Sequence, residues 1–321
     1  MSFLSDWTSL RDAPPPGAAV EITAQRVSAA SLEMRGGRPV ITAHAVEPLL
    51  EGALVPSLMT ANIHDRTAVL TALGRVLERV GRPHRIGLIV PDPIAKVSLV
   101  RFEKVPPREQ DLDQLIRWQV RKAAPFAIED AQVSYVAGIL AADGREFVVT
   151  LARREVVQEY EDLCAAHGAH PGIVDISTFN VINAVLAGSA PEPLADWLLV
   201  NVASDYTSIA ILRGPDPIFF RSRGADSEGT LADLVHQTAM YYEDRLQGAG
   251  FSRVMLSGAS TASGDVQEIG SSLQLRLGTA IAAVDPREAA TLADRITVAP
   301  ALLDALAPLV GLLVRGREAA A

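Results

Sequence analysis

The feature that most constrains the fold is an internal repeat, in which the chain resembles itself at an offset of 180 residues. Residues 20–22 (Val-Glu-Ile) align with residues 200–202 (Val-Asn-Val) without a gap. The alignment continues at three further positions: Ser28 with Ser208, Ala30 with Ala210 and Leu32 with Leu212. Because self-similarity at a fixed offset is the signature of a repeated architecture, the sequence predicts two related halves.

Both copies have the same order of predicted elements. Each begins with three extended runs joined by turns, with glycine turns at residues 36–37 and at Gly214. An amphipathic helix follows, and it leads into a short apolar run that is typical of a buried parallel strand. These runs are residues 86–90 and 254–257. A further strand and helix are expected over residues 172–187, so the sequence predicts an α/β fold with a duplicated βββαβα unit.

The segment between these units follows a different pattern. Its predicted order is strand, helix, hairpin and helix, and the hairpin turns at Asp143-Gly144. The expected element bounds are 94–102, 109–123, 132–140, 146–151 and 154–167. We therefore expect a small βαββα subdomain inserted in the first half. The expected division is an N-terminal tail (1–17), a first domain (18–90 and 171–190), an inserted subdomain (91–170) and a second domain (195–321).

Composition and charge narrow the class of protein. The chain has 321 residues, with 29 Lys and Arg against 38 Asp and Glu, and its net charge of −9 argues against nucleic acid as a partner. The single cysteine, Cys164, fits a reducing compartment. Residues 301–314 are apolar but shorter than the roughly 20 residues of a membrane span, and residues 1–17 lack the pattern of a signal peptide. We expect a cytoplasmic protein without direct membrane insertion.

A family resemblance rests on several strings that occur in the expected order. The string at residues 118–126, Trp-Gln-Val-Arg-Lys-Ala-Ala-Pro-Phe, resembles the tryptophan and Ile-Pro-Phe that end a helix in the PilM family of type IV pilus assembly proteins. Similar agreement is found at four other places: residues 90–92, 174–179, 256–258 and 309–315. The resemblance implies an actin-like, FtsA-like fold of the ribonuclease H type over residues 19–315, which agrees with the duplicated unit.

The resemblance also permits a test for nucleotide binding. Actin-like proteins present backbone N–H groups of two glycine-containing turns to the phosphates, and a strand aspartate holds magnesium or water. Here Thr23 and Ala203 stand in place of the turn glycines, and Asn201 stands in place of a carboxylate. The cleft is therefore expected to be degenerate, with no catalytic residues, no turnover of ATP and no bound cofactor. ATP with Mg²⁺ is expected to bind weakly at most. The residues of the cleft are Glu21, Thr23, Asn201, Ala203, Thr207 and Gly258.

Other chemical motifs are weak or absent from the sequence. Cys164, His167 and His170 recur at three-residue spacing, but Gly168 and Pro171 interrupt the segment and no fourth ligand is near, so no metal site is expected. Neither a P-loop nor a Gly-x-Ser-x-Gly elbow occurs in the sequence. These observations favour a non-catalytic protein.

The inserted subdomain carries the candidate partner surface. Trp118 lies about 130° from the centre of the apolar face of its predicted helix, at 100° per residue. Seven basic and four acidic residues lie between Lys96 and Lys122 in this acidic chain. Two interpretations stay open: Trp118 binds a partner, or it packs on the neighbouring domain beside a solvated basic face. The candidate partner residues are Val97, Leu99, Arg101, Trp118, Arg121 and Lys122.

Three hypotheses for function follow. The first, implied by the resemblance, is an adaptor that holds the short cytoplasmic tail of a PilN-like inner-membrane protein between the first domain and the insertion, and that has the pilus assembly ATPase as a further partner. The second is an active actin-family ATPase or small-molecule kinase with altered motifs. The third is an FtsA-like membrane-bound filament protein, and the short tail after Arg315 argues against it.

Overall fold

The computed structural model describes residues 16–189, 194–227, 229–260, 266–294 and 296–315. Of the expected N-terminal tail, residues 1–15 lie outside this part of the chain. Among the described helices, none is both long enough and apolar enough to span a membrane.

The first half is built on a six-stranded sheet with the order β14-β3-β2-β1-β4-β8. Strands β1 to β3 form an antiparallel meander, and β1, β4 and β8 run parallel. Asp65 caps the helix α1 by accepting a hydrogen bond from the Ala68 N–H. The elements are β1 (Ala18–Ile22), β2 (Arg26–Arg35), β3 (Arg38–Pro48), α1 (Arg66–Arg79), β4 (Arg85–Val90), β8 (His170–Ile176), α4 (Ser177–Gly188) and β14 (Thr291–Leu292).

The second half repeats this plan in a five-stranded sheet with the order β11-β10-β9-β12-β13. Thr230 and Asp233 form a capping box at the start of its first helix, α5. The elements are β9 (Asp196–Val202), β10 (Tyr206–Arg213), β11 (Asp216–Gly224), α5 (Leu231–Leu246), β12 (Arg253–Ser257), α6 (Val266–Leu277), β13 (Ile281–Ala283) and α7 (Pro300–Val314). The predicted duplication is confirmed, because β1 to β4 and β9 to β12 have the same order and pairing.

The insertion forms a third sheet with the order β5-β7-β6. Helix α2 covers one face of this sheet, where Ile116 and Val120 contact Phe147 and Val149. The elements are β5 (Ala95–Phe102), α2 (Glu109–Val120), β6 (Ala131–Ala141), β7 (Gly144–Arg153) and α3 (Arg154–Ala165). Helix α2 ends three residues before its predicted end, in a turn where the Ala123 N–H donates to the Val120 carbonyl three residues earlier.

Helix α3 packs differently from the sequence expectation, which grouped it with the insertion. Its buried side chains, among them Val156, Tyr160 and Leu163, join the core of the first half beside α1 and β8. In the second half α6 occupies the matching place, between β12 and β13. The repeat therefore includes one more helix than predicted, and we propose the narrower bounds β5 to β7 for the inserted subdomain.

The last helix of each half lies against the sheet of the other half. Helix α4 packs its Val181 and Val185 against Trp197 and Leu199 of the second sheet. Helix α7, from the end of the chain, packs on the first sheet through Leu309, Val310 and Leu313. At their crossing a Cβ on Gly311 would lie 1.7 Å from the Asn180 carbonyl oxygen. The two halves are thus interlocked through closely packed helices.

Candidate functional site

The cleft between the two halves contains most of the predicted nucleotide residues. The β1–β2 turn, the β9–β10 turn, the start of α4 and the residue after β12 meet around a cavity of about 30 Å³. Thr207 is the exception. Its neighbour Ser208 points inward from β10, so the Thr207 side chain points to the other face of the sheet. Five of the six predicted residues line the cavity: Glu21, Thr23, Asn201, Ala203 and Gly258.

Glu21 is buried, and other side chains of this protein bond its carboxylate. Its carboxylate accepts hydrogen bonds from Ser177 Oγ at 3.0 Å and from Ser28 Oγ at 3.3 Å, and it pairs with Arg26 Nη2 at 3.2 Å. A magnesium ion at this carboxylate would have to displace the guanidinium. The geometry therefore favours an internal role for Glu21 over metal binding.

The two turns that would hold phosphates are closed on themselves. The Thr23 N–H donates to the Arg26 carbonyl oxygen at 2.9 Å, and the Thr23 hydroxyl also bonds the backbone of Arg26. In the second turn the Ala203 N–H donates to the Tyr206 carbonyl oxygen at 2.9 Å. Because these N–H groups are used within the turns, they are not directed at a ligand.

Gly258 has a structural reason for being glycine. Its φ is +79°, and a Cβ would lie 1.9 Å from the Val202 carbonyl oxygen. The Asp304 carboxylate of α7 accepts hydrogen bonds from the Gly258 N–H at 2.9 Å and from the Ser260 N–H at 2.7 Å. The segment that follows β12 is therefore capped by a side chain of the protein itself.

A buried carboxylate network at the back of the cleft was missed by the sequence reasoning. Asp92, which follows β4, is fully buried and accepts hydrogen bonds from the Thr178 N–H at 3.0 Å and from Ser208 Oγ at 2.5 Å. The Thr178 hydroxyl also donates to Asp92, and Asn201 Nδ2 donates to that hydroxyl at 2.8 Å. Burial raises the pKa of Asp92 to about 6, although the hydrogen bonds oppose this shift.

A signal for this network was present in the sequence. A carboxylate directly after a buried parallel strand lies at the edge of the sheet where ligand sites form in α/β folds. Asp92 occupies such a place after residues 86–90, within the string at residues 90–92 that contributes to the family resemblance.

A second concave site, the groove, lies where the inserted sheet, β8 and α4 meet. Its cavity has a volume of about 670 Å³. Within the part of the chain that the structure describes, β6 and β8 are each the last strand of their sheet, and residues of both strands line the groove. Most of its lining residues on β6, β7 and α4 are small or apolar: Ser134, Val136, Ala137, Val148, Thr150, Ala152, Phe179, Ile182 and Leu186. Gln132, Tyr135 and Asn183 are the larger polar side chains on these elements.

Charged side chains from several elements also line the groove: Arg154, Glu161, Asp175, Asp216 and Arg315. Arg315, after α7, pairs with Asp175 of β8 at a distance of 2.9 Å between Nη1 and Oδ2. Burial raises the pKa of Asp175, and the neighbouring Arg315 opposes that rise. This pair joins the end of the last helix to the edge strand of the first sheet.

The predicted partner residues lie outside the groove lining. Odd-numbered residues 147–151 of β7 face α2, whereas Val148, Thr150 and Ala152 face the groove. Trp118 therefore lies on the far side of the inserted sheet, where its side chain is 64% exposed beside exposed Arg121 and Lys122.

The three predicted residues on β5 have other surroundings. Val97 packs against the core of the first half, Leu99 is half-buried, and Arg101 pairs with Asp143. The structure therefore separates the six predicted partner residues into an exposed α2 surface and a β5 surface.

The histidine and cysteine spacing does not produce a metal site within the described ranges. Cys164 is buried in the core of the first half, where burial raises its pKa to about 12. His167 Nε2 lies 2.8 Å from the Leu70 carbonyl oxygen. These side chains serve packing and backbone contacts.

Three solved structures are similar to this chain to different degrees. The structure titled PilM-PilN type IV pilus biogenesis complex has a TM-score of 0.79 and 18% identity, and the match covers 95% of this chain and 100% of that one. EutJ, an ethanolamine utilization protein from Carboxydothermus hydrogenoformans, matches with a TM-score of 0.48 and 10% identity. That match covers 96% of this chain and 95% of EutJ. The cytoplasmic domain of EpsL from Vibrio cholerae matches with a TM-score of 0.46 and 13% identity, and the match covers 80% of this chain and 94% of that one.

The duplicated sheets, the exchanged helices and the cleft between them define an actin-like protein. Within this class, residues 19–244 match the family model described as type IV pilus assembly protein PilM. The chain belongs to the PilM family of type IV pilus assembly proteins.

Proposed function

We propose that this protein is a scaffold of a type IV pilus or related assembly platform, and that its groove binds the cytoplasmic tail of a PilN-like inner-membrane protein. The observation that carries the proposal is the groove of about 670 Å³ between β6 and β8, each the last strand of its sheet among the described residues. In this proposal the scaffold lies in the cytoplasm and is held at the inner membrane by this tail. The pilus assembly ATPase is a further partner.

The groove suits an extended peptide. An exposed strand edge presents unpaired N–H and C=O groups, to which a peptide adds as a further strand, and adjoining pockets hold alternate side chains. Strand β8 has seven residues, which correspond to about 23 Å of extended peptide. Phe179, Ile182 and Leu186 offer an apolar surface for the peptide side chains. A tail of roughly 10–20 residues is sufficient for this mode of recognition.

The proposed role requires no ATP hydrolysis. The cleft between the halves has a volume of about 30 Å³, which is room for about one water molecule. The Glu21 and Asp304 carboxylates in this cleft accept hydrogen bonds from the protein itself, and the Thr23 and Ala203 N–H groups donate to carbonyl oxygens of their own turns. We therefore infer a scaffold without catalytic turnover, and titration calorimetry with ATP and Mg²⁺ tests this against the ATPase or kinase alternative. Micromolar, magnesium-dependent binding would favour the enzyme, with Glu21 and Asp205 as the nearest carboxylates.

A pair of variants tests the tail site. Ser134 is exposed on β6 and faces the groove, so Ser134→Phe should fill it and weaken a synthetic tail peptide by roughly tenfold or more. Ser227, exposed in the turn after β11 and outside the groove lining, provides the matched control Ser227→Phe. Fluorescence anisotropy of the labelled peptide measures both affinities. Equal affinity of Ser134→Phe and the control would contradict the groove as the binding site.

The exposed Trp118 surface is the second candidate site for the tail. Losing one aromatic anchor commonly costs about 2 kcal/mol, or roughly 30-fold in affinity, whereas a rim charge contributes less. If the tail binds there, Trp118→Ala weakens the peptide more than Arg121→Ala or Lys122→Ala does. A strong effect of Trp118→Ala together with none from Ser134→Phe moves the site to α2.

A further inference from the structure

The network around Asp92 crosses from one half of the molecule to the other. Asp92 and Thr178 follow strands of the first sheet, whereas Asn201 and Ser208 lie on β9 and β10 of the second. Two hydrogen bonds make the crossing, Ser208 Oγ to Asp92 Oδ2 and Asn201 Nδ2 to Thr178 Oγ1. Ser208 and Asp92 are fully buried and Asn201 is 5% exposed, so water does not compete effectively for these groups.

The donor and acceptor roles at the Thr178 hydroxyl explain why residue 201 has an amide side chain. The single hydroxyl proton of Thr178 goes to Asp92, so the Thr178 oxygen can only accept from residue 201. Asn201 supplies an N–H donor there, and an ionised aspartate could not. An aspartate would also add a third negative charge near Asp92 and Glu21, which already repel each other.

We propose that Asp92, Thr178, Asn201 and Ser208 form a latch that holds the two halves closed without a nucleotide. Asn201 lines the cleft and the other three side chains lie behind it, so hydrogen bonds within the protein take the place of a ligand between the halves. The inference is independent of tail binding, because none of the four side chains lines the groove.

The distance between the halves tests this latch. Cys164 is the single cysteine and is buried, so spin labels can be placed selectively at Glu51→Cys and Asp226→Cys. These exposed positions lie in the equivalent loops after β3 and β11. In a doubly labelled protein, Asn201→Asp should broaden the distance distribution and shift it to longer separations. Asn183→Asp is the control: it makes the same change at a half-buried residue of α4 that lines the groove and lies outside the latch. Measured without tail peptide, it should leave the distance distribution as in the parent.

A milder variant keeps the test valid if Asn201→Asp does not fold. Ser208→Ala deletes one hydroxyl, and we expect amide hydrogen exchange in β1 and β10 to accelerate by about tenfold, the scale of one hydrogen bond to a charged group. Unchanged exchange in Ser208→Ala would overturn the proposal. An unaltered distance distribution in a folded Asn201→Asp would do the same.

Discussion

Buried carboxylates set the pH response of this protein at the scale of single residues. Asp92 is fully buried, and its pKa is raised to about 6, chiefly by burial. Glu21 shares the cleft but is paired with Arg26. The Arg26 guanidinium neutralises the Glu21 carboxylate. The hydroxyl and backbone N–H groups that donate to Asp92 only partly compensate for the burial of its carboxylate. Asp92 is therefore a buried carboxylate from which we expect a pH-dependent contribution to stability.

The first prediction concerns the free energy of unfolding against pH. The raised folded-state pKa of Asp92 means that the folded state binds the proton more tightly than the unfolded state does. This contribution is complete below pH 4 and is lost as pH rises through about 6. It amounts to something on the order of 3 kcal/mol. Asp92→Asn lacks this titration, so urea denaturation should give a difference between parent and variant that changes between pH 4 and 6. A constant difference would contradict the assignment.

The second prediction concerns Gly258. Gly258→Ala places a Cβ 1.9 Å from the Val202 carbonyl oxygen at a φ of +79°, so we expect a loss of about 2 kcal/mol or more. Gly270 in helix α6 has open space around its Cβ position. Gly270→Ala is the control, and it should stabilise by up to about 1 kcal/mol. Chemical denaturation measures both, and similar effects would argue against the close approach.

Helix α2 shows how one element has separate structural and exposed faces. Ile116 and Val120 are buried against the inserted sheet, whereas Trp118 is 64% exposed. Trp118 therefore contributes little to the core of the inserted subdomain. The sequence interpretation in which Trp118 packs on the neighbouring domain does not fit this exposure.

The third prediction separates the two faces of α2. Ile116→Ala removes a fully buried side chain and should cost about 2–5 kcal/mol in free energy of unfolding. Trp118→Ala should change it by no more than about 0.5 kcal/mol. Thermal and urea denaturation distinguish the two variants. A large loss in Trp118→Ala would mean that this side chain packs on the protein in solution.

The exchanged helices couple the two halves at the scale of the whole molecule. Helix α4 lies on the second sheet and α7 lies on the first, so each half loses part of its core if the other unfolds. Two separate domains joined by a linker would lack this dependence. We therefore expect cooperative unfolding of the whole chain.

The fourth prediction tests this coupling at the helix crossing. Gly311→Ala places a Cβ 1.7 Å from the Asn180 carbonyl oxygen, and we expect α4 and α7 to separate at a cost of about 2 kcal/mol or more. Hydrogen exchange should accelerate in both β4 and β9, because each sheet depends on a helix from the other half. Acceleration confined to one sheet would show that the halves unfold independently.

The sequence determined the repeat, the order of elements, the inserted segment and the loss of the turn glycines. These features could be predicted because hydrophobic periodicity, glycine turns and self-similarity depend on residues close in sequence or at one fixed offset. The six cleft residues were predicted from the family resemblance and not from these local patterns, and five of them line one cavity.

Only the tertiary structure decided where the segments meet. Asp92 and Ser208 are 116 residues apart, and Glu21 and Ser177 are 156 apart, so no local pattern could reveal these contacts. The packing of α3, the exchange of α4 and α7, and the groove beside β8 depend on the same long-range arrangement. Periodicity indicates which face of an element is buried, but which other segment covers that face depends on the packing of the whole chain.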